Sequence, residues 1–369
     1  IDLRQWDSPS AITIWQKLAQ TNTADGKDIL HRFMDYVDAE RHGKPSFSER
    51  ATTPEKWVKG PLIAQKNENQ VVGDCPVMSK KTVCCNLKTI DAVTNCVMGC
   101  NYCAIQTMHS NDNVYTDADL AEKLRKVQLN PTRDYHFGTG QSSDSLLAGN
   151  KHGVFDALME FCRENPNAFL EFKSKSSNTA YFEKANNFPP NLFFSWSLNP
   201  QEFIDAEEAH TASLEKRLEA AERMVMHGFS VAFHFHPIVW FEGWQEAYSH
   251  VVKQVLSRFS PHDVVYVSLG TMTIPRSVRK KIRAAGITTQ VARNLTAENP
   301  EGKLTYPDAI KNELFAHVYR EFDAWHADVF FYLCMEEAKF WHPLFGFAYE
   351  TNEDFEREML KAIRLKLKW

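Results

Sequence analysis

The chain lacks any long hydrophobic segment. No apolar run within its 369 residues approaches the ~20 residues that a bilayer-spanning helix needs, and no signal peptide is visible. Low-complexity tracts and conventional sequence repeats are also missing, so nothing points to a disordered or solenoid protein. With 43% hydrophobic and 24% charged residues, the composition is that of a globular protein. We therefore expect a cytoplasmic protein that has no membrane partner.

The chain also lacks an excess of positive charge and a disulfide pattern. Its net charge of −5 argues against a protein that coats long nucleic acid, although a local basic groove stays possible. Eight cysteines in so long a chain do not form a disulfide framework. Six of them fall between Cys75 and Cys103. This clustering indicates a metal site in a reducing compartment.

Short β-like runs alternate with amphipathic helical stretches through the middle of the chain. Six such β/α repeats predict an α/β protein with a parallel sheet, specifically a partial (β/α)6 TIM-like barrel. Residues 1–80 form a predicted N-terminal helical and loop extension, with helices at 12–18 and 29–37. Residues 81–285 form the predicted barrel, and 286–369 a C-terminal α/β extension that covers the barrel mouth. The predicted strands are 87–93, 135–138, 168–172, 192–198, 230–235 and 264–269.

Three cysteines follow the first predicted strand in the sequence NCVMGCNYC, residues 95–103. Cys96, Cys100 and Cys103 are spaced C-x3-C-x2-C, and thiolates are the usual ligands of iron–sulfur clusters. Three such thiolates can hold three irons of a [4Fe–4S] cluster, which leaves the fourth iron open, and we expect such a cluster here. The alternatives are a structural role or a zinc site, for which His109 is the nearest extra ligand.

This spacing resembles the radical S-adenosylmethionine (SAM) superfamily. Five further segments, in order and at predicted strand ends, resemble its spore photoproduct lyase family over about residues 80–285, and YLCME at 332–336 continues the likeness. They are FGTGQSSDS at 137–145, EFKSKS at 171–176, FSWSLN at 194–199, GFSVAFHFHP at 228–237 and EGWQEAY at 242–248. Strand ends are where barrel enzymes place catalytic residues.

The resemblance implies both cofactors and their chemistry. SAM would chelate the open iron, and one electron would cleave it to a 5′-deoxyadenosyl radical that takes hydrogen from a substrate. The family pattern assigns Ser143, Lys175 and Ser197 to SAM, with Lys175 facing the methionine carboxylate. For His234 we expect a core or cofactor contact, because no third ligand is spaced to make a metal site with His236. An electron donor such as flavodoxin or ferredoxin is implied.

The chain departs from the family pattern at two positions. The family's lyase carries, at the position of Gln141, a cysteine that returns a hydrogen atom to the product radical. A second family tyrosine is replaced by Ala104, so that Tyr102 alone remains of a pair. We therefore single out Tyr102 and Gln141 as catalytic positions where the radical must end differently. A rearrangement that takes hydrogen back from 5′-deoxyadenosine would need no donor.

Other cysteines could replace that donor. Cys75, Cys84, Cys85 and Cys334 are the possibilities, although burial as small apolar side chains is the commoner role of free cysteine. An auxiliary cluster on the first three lacks an obvious fourth ligand.

Substrate residues are predicted from charge and aromaticity. Arg276, Arg279 and Lys280 belong to a basic run after Pro275 that could contact phosphates, or could be a solvated helix face. Trp196 could stack a flipped base, or could belong to the core. The leading hypothesis is a lyase or isomerase that acts on a nucleobase in DNA, through thymine lesion repair or rearrangement of a modified thymine. The alternatives are a small-molecule or peptide substrate, and a non-catalytic nucleic-acid-binding protein with a structural cluster.

Overall fold

The computed structural model describes residues 13–17, 20, 30–36, 43–47, 60–109, 113–184, 187–287 and 289–367. Residues 13–17 and 30–36 are helical, within the two helices predicted near the N-terminus. The remainder of those two predicted helices lies outside the described residues.

The core of the protein is an eight-stranded sheet whose strands follow one another in chain order. Neighbouring strands are parallel except for the antiparallel first pair. The strands are β1 (Val72–Asp74), β2 (Lys88–Ile90), β3 (Tyr135–Thr139), β4 (Ala168–Ser174), β5 (Leu192–Ser197), β6 (Val231–Ile238), β7 (Val264–Thr271) and β8 (Phe330–Leu333). The predicted α/β partial barrel is therefore confirmed.

Burial explains why the central strands read as nearly continuous apolar runs. Every residue of β5 and of β7 is buried, as expected for parallel strands that are covered on both faces. The structure adds one strand at each edge of the six predicted barrel strands, and β8 coincides with a strand-like run that the sequence predicts at 329–333. β1 comes from the predicted N-terminal extension and β8 from the predicted C-terminal one, while the domain boundaries at 80 and 285 stay predictions.

Helices connect the strands and pack against the sheet. Ser213 caps one of them by accepting a hydrogen bond from the backbone N–H of Lys216, as Ser at an N-cap usually does. Among the described residues after position 60, the α-helices are Leu120–Arg125, Val154–Glu164, Ala180–Lys184, Gln201–Glu207, Leu214–Met226, Trp244–Arg258, Arg276–Ala284, Asp308–Glu321, Trp341–Phe345 and Asn352–Lys366. Within the described part of the chain, no helix is both long and apolar enough to cross a membrane.

Two small sheets stand apart from the central one. The first joins Leu62–Gln65, Val114–Asp117 and Val93–Thr94, and the second joins Thr273–Ile274, Leu304–Thr305 and Ala297–Glu298. The single strand predicted at 87–93 is thus divided: its first part is β2, and its end belongs to the first small sheet.

Late segments of the chain pack against the residues that precede β2. The N–H of Val83 donates to the carbonyl of Glu336 (3.0 Å), and the N–H of Cys84 donates to the side chain of Asn352 (2.9 Å). Asn86 donates to Glu356 (3.0 Å). These contacts join the two edges of the open barrel.

Candidate active site

The cysteine loop is held in place by its own polar residues. Asn95 and Gly99 have positive φ values of 66° and 61°, which allow the chain to turn tightly. The Asn95 side chain accepts the N–H of Cys96 (2.8 Å), and the Ser143 hydroxyl donates to the Asn95 carbonyl (2.6 Å). Ser143, predicted to contact SAM, thus supports the loop that carries the first cysteine.

The three cysteines of this loop lie close enough to influence one another electrostatically. Burial raises the pKa of all three thiols, and for Cys96, where burial is joined by the charge of Asp144, to about 12. Among the described residues, no three His, Cys, Asp or Glu side chains converge on a position for a single metal ion. A cubane cluster requires no such convergence, because each thiolate binds a different iron. The donor set therefore fits a [4Fe–4S] cluster better than a single ion such as zinc.

Lys175 lies beside this loop in a buried polar cluster that the sequence did not predict. Its Nζ is 2.5 Å from Glu208 Oε1 and 2.5 Å from the hydroxyl of Tyr102. The Tyr102 hydroxyl donates to the same carboxylate oxygen (2.5 Å). Arg217, which is fully buried, donates from Nη2 to the other oxygen of Glu208 (2.5 Å) and from Nη1 to the Ser197 carbonyl (2.7 Å).

Electrostatics keep this cluster charged. Burial would raise the pKa of Glu208, but Lys175 and Arg217 outweigh it and lower that pKa to about 2. Burial likewise lowers the pKa of Lys175, while Glu208 and Cys100 raise it by more, so that the net shift is upward. Lys175 is therefore an ammonium group next to the cysteine loop, consistent with its predicted role as a point charge for a carboxylate.

A second buried network spans the inner face of the sheet. The Glu171 carboxylate on β4 lies 2.7 Å from Nε2 of His234 on β6 and 3.1 Å from Nε2 of His136 on β3. The Ser195 hydroxyl donates to the same carboxylate, and the other ring nitrogen of His234 is 2.5 Å from the Ser268 hydroxyl. Burial, with a contribution from nearby Lys173, lowers the pKa of His234 to about 4 against the pull of Glu171.

A cavity of about 240 Å³ lies against this network. Gln141, Glu171 and His234 line it, together with residues from both edges of the sheet. The remaining lining residues are Cys75, Val77, Thr82, Val83, Cys84, Cys85, Leu87, His136, Lys173, His236, Tyr332, Leu333, Cys334, Met335 and Phe355. The structure thus brings Gln141 and His234 to one cavity, and places Tyr102, Lys175 and Ser197 at the neighbouring Glu208 cluster.

None of the predicted substrate residues lines this cavity. Trp196 is fully buried, and its indole N–H donates to the Ser176 carbonyl (2.9 Å), so this side chain belongs to the core and presents no face to a base. Arg276 and Lys280 are exposed on the predicted basic helix, and Arg276 pairs with Glu298. Arg279 lies on the same helix and is half-buried.

Sequence comparison identifies the family. A family model described as spore photoproduct lyase matches residues 82–284, more than half of the chain. The chain belongs to the spore photoproduct lyase family. This is a family of radical SAM proteins associated with DNA repair, as the resemblance predicted.

Two curated relatives show how much of each protein can be aligned with this chain. The spore photoproduct lyase of Bacillus subtilis (strain 168) is 27% identical over 182 residues, which are 47% of this chain and 52% of the relative. That of Geobacillus sp. (strain Y412MC61) is 22% identical over 180 residues, with the same coverage of 47% and 52%. The chain therefore spans about half the length of the curated relatives it matches.

Solved structures of the family share the fold. A spore photoproduct lyase complexed with dinucleoside spore photoproduct matches 88% of this chain and 96% of its own, with a TM-score of 0.64 and 16% identity. A mutant with bound AdoMet and dinucleoside spore photoproduct matches 74% of this chain and 82% of its own, with a TM-score of 0.59 and 18% identity. At these identities the likeness establishes the fold.

Proposed function

We propose that this protein is a radical SAM enzyme that abstracts a hydrogen atom from a thymine or modified thymine in DNA. The observation that carries the proposal is the C-x3-C-x2-C loop, whose thiols lie next to the Lys175 ammonium at the carboxyl ends of parallel strands. In such sheets ligands bind at those ends. Bound there, a [4Fe–4S] cluster and SAM would together supply the 5′-deoxyadenosyl radical.

The chain's own residues have positioning roles in this proposal. Cys96, Cys100 and Cys103 bind the cluster, and Lys175 attracts the methionine carboxylate. Glu208 and Arg217 hold the Lys175 ammonium in place, because Glu208 bridges the two cations. Ser143 and Ser197 stand beside the loop and the cluster of charges, where they would contact the amino acid or ribose part of SAM.

The substrate would enter the cavity lined by Gln141 and His234. Related structures are complexes with dinucleoside spore photoproduct, and that likeness supports a thymine-containing substrate here. A base within a duplex must be flipped out to reach such a cavity, and the exposed Arg276 and Lys280 would bind its phosphates. Repair of a thymine lesion and rearrangement of a modified thymine both fit this arrangement.

A first experiment tests the radical chemistry. The protein is reconstituted anaerobically with iron and sulfide, then given SAM and dithionite, and 5′-deoxyadenosine is measured. We expect its formation in the parent protein and in Cys162→Ala, because Cys162 lies in the helix Val154–Glu164, away from the loop. Replacing Cys100 by Ala should remove both iron and 5′-deoxyadenosine. A Cys100→Ala protein that keeps both would contradict the proposal.

A second experiment tests the substrate. Oligonucleotides deuterated at thymine, or containing the lesion, are supplied during turnover, and deuterium in 5′-deoxyadenosine is measured. Transfer of label identifies a nucleobase substrate, and binding to these oligonucleotides should weaken steeply with salt. If 5′-deoxyadenosine forms without label from any of them, thymine is not the substrate.

One observation favours a second candidate, a small-molecule substrate of the same radical. The cavity volume of about 240 Å³ lies below the roughly 300–1,000 Å³ typical of pockets for larger ligands. Salt-independent activity on a free nucleoside, with none on oligonucleotides, would support this candidate.

A further inference from the structure

Four cysteines outside the cluster loop meet at the cavity that contains Gln141. Cys75 follows β1, Cys84 and Cys85 precede β2, and Cys334 follows β8, so they come from both edges of the sheet. All four line the cavity, and each interacts electrostatically with the other three. We call these four residues the thiol group.

The thiol group is not arranged as a metal site. Among the described residues, no set of three or more potential ligands surrounds a point that an ion could occupy. Instead, the neighbouring residues Cys84 and Cys85 are hydrogen-bonded to each other. The Cys85 thiol donates to the Cys84 sulfur, which lowers the pKa of Cys84 to about 7. The same hydrogen bond is the main cause that raises the pKa of Cys85, and burial adds to it. Burial alone is the main cause that raises the pKa of Cys334 to about 12. Cys85 and Cys334 therefore keep their S–H hydrogens at neutral pH.

A protonated thiol beside a substrate radical has a specific chemistry. An S–H bond is weaker than the C–H bonds of a base or sugar, so a carbon radical in the cavity takes hydrogen from sulfur readily. Gln141, which also lines this cavity, offers only amide N–H bonds, which resist this transfer. Burial also raises the pKa of Cys75, so this thiol is protonated too. Outside the thiol group, no protonated thiol among the described residues lines the cavity, because Cys162 lies elsewhere and the loop cysteines are assigned to the cluster.

We propose that the thiols of Cys85 and Cys334 return a hydrogen atom to the product radical in this cavity. The inference rests on the proposed function, which supplies that radical. The carbon radical forms a C–H bond as the S–H bond breaks, and a thiyl radical remains on sulfur. The thiyl radical is reduced back to the thiol by one electron from the same low-potential donor that reduces the cluster, and by one proton from solvent. Each turnover therefore uses two electrons and one SAM.

Solvent deuterium provides the test. Thiol hydrogens exchange with water, whereas the methyl hydrogens of 5′-deoxyadenosine do not. The reconstituted protein is given dinucleoside spore photoproduct, SAM and dithionite in D2O, and the thymidine product is analysed by mass spectrometry. We expect one deuterium per repaired dinucleoside, carried by one of its two thymidines. A product without deuterium would show that hydrogen returns from 5′-deoxyadenosine, and the inference would be wrong although the proposed function stands.

Matched variants identify the donor. In the Cys85→Ser, Cys334→Ser double variant, deuterium in the product should fall at least tenfold, because an O–H bond is too strong to donate a hydrogen atom. Cys162→Ser, another buried thiol, should leave incorporation unchanged, and equal iron contents confirm that each variant is folded. Undiminished incorporation in the double variant would overturn the assignment.

Thiol labelling, which needs no turnover, tests whether the substrate binds in the cavity beside the thiol group. Because a thiol with a pKa near 7 reacts fastest, iodoacetamide should label Cys84 ahead of the other thiols in the group. A bound dinucleoside spore photoproduct should slow this labelling at least threefold, measured peptide by peptide. Unchanged labelling at saturating dinucleoside would place the substrate elsewhere and overturn the inference. Failure to form any 5′-deoxyadenosine would instead remove the proposed function, and the inference with it.

Discussion

Replacing Glu208 by Ala should cost more stability than replacing any surface carboxylate. Glu208 is buried and neutralises Lys175 and Arg217, and the Arg217 side chain has no exposed surface. Without Glu208, the Arg217 guanidinium keeps only neutral acceptors, among them the Ala212 and Ser197 carbonyls. Removing one partner of a buried ion pair typically costs about 3–5 kcal/mol, because the remaining charge is buried without compensation.

The assay is urea unfolding followed by tryptophan fluorescence, with Glu215→Ala as the matched control. Glu215 pairs with Arg258 at 2.5 Å, but half of its side chain is exposed. Such a surface pair contributes at most about 1 kcal/mol. We expect the free energy of unfolding to fall several-fold more in Glu208→Ala than in Glu215→Ala. Equal losses in the two variants would refute the view that Glu208 holds two buried cations.

Three further predictions concern buried residues in the sheet or next to it. Gly270→Ala should destabilise the protein by about 1–3 kcal/mol, because its new Cβ would lie 2.7 Å from the ring of His236. Gly73→Ala is the control and should be nearly neutral, because the side-chain atom nearest to its new Cβ is 3.6 Å away. Thermal unfolding of the two variants measures the difference. Burial lowers the pKa of His234 to about 4 and that of His236 to about 3, so the unfolded chain binds more protons below pH 6.5 and stability must fall as the pH drops. Between pH 7 and pH 5 each histidine should contribute a loss of about 2 kcal/mol, while Glu207, whose pKa burial raises to about 7, contributes a gain. In urea titrations the stability change between the two pH values should therefore differ by about 2 kcal/mol between the parent protein and His236→Gln, and equal changes would contradict the burial of a neutral ring. Asn191→Ala should cost about 2–3 kcal/mol in the same assay, because the Asn191 amide donates to three carbonyl oxygens within 3.1 Å, and a loss below 1 kcal/mol would show that water replaces it.

The sequence predicted those parts of the fold and site that depend on local patterns. The central strands are recognisable because β5 and β7 are buried throughout and therefore apolar. The cysteine loop is recognisable from its spacing. At the ends of the sheet the pattern was weaker: β1 and β2 have only three residues each, too few to show a period.

Contacts between distant residues could not be predicted in the same way. The partners of Glu208 lie 106, 33 and 9 residues away, and those of Glu171 lie as far as 63 residues away. No periodicity links such positions. The sequence therefore predicted a cofactor contact for Lys175 but not its ion pair, and it predicted no role for Glu208. The adjacent acidic pair at Glu207 and Glu208, within the predicted barrel region and at the end of the helix Gln201–Glu207, was the one available signal. Trp196 was ambiguous for the opposite reason, because a core tryptophan and a stacking tryptophan look alike in sequence.

The way the two sheet edges are joined has a consequence for how the protein is made. Strands β1 to β7 add to the sheet in the order in which a ribosome delivers them, so each can pair as soon as it is synthesised. The segment around Cys84 and Cys85 cannot reach its final contacts so early. Its hydrogen-bond partners are Glu336, Asn352 and Glu356, which follow more than 250 residues later. Until those residues are synthesised, the two neighbouring thiols are exposed to solvent. Oxidation and metal capture at this pair are thus hazards of the growing chain, and they end when the last helix packs into place.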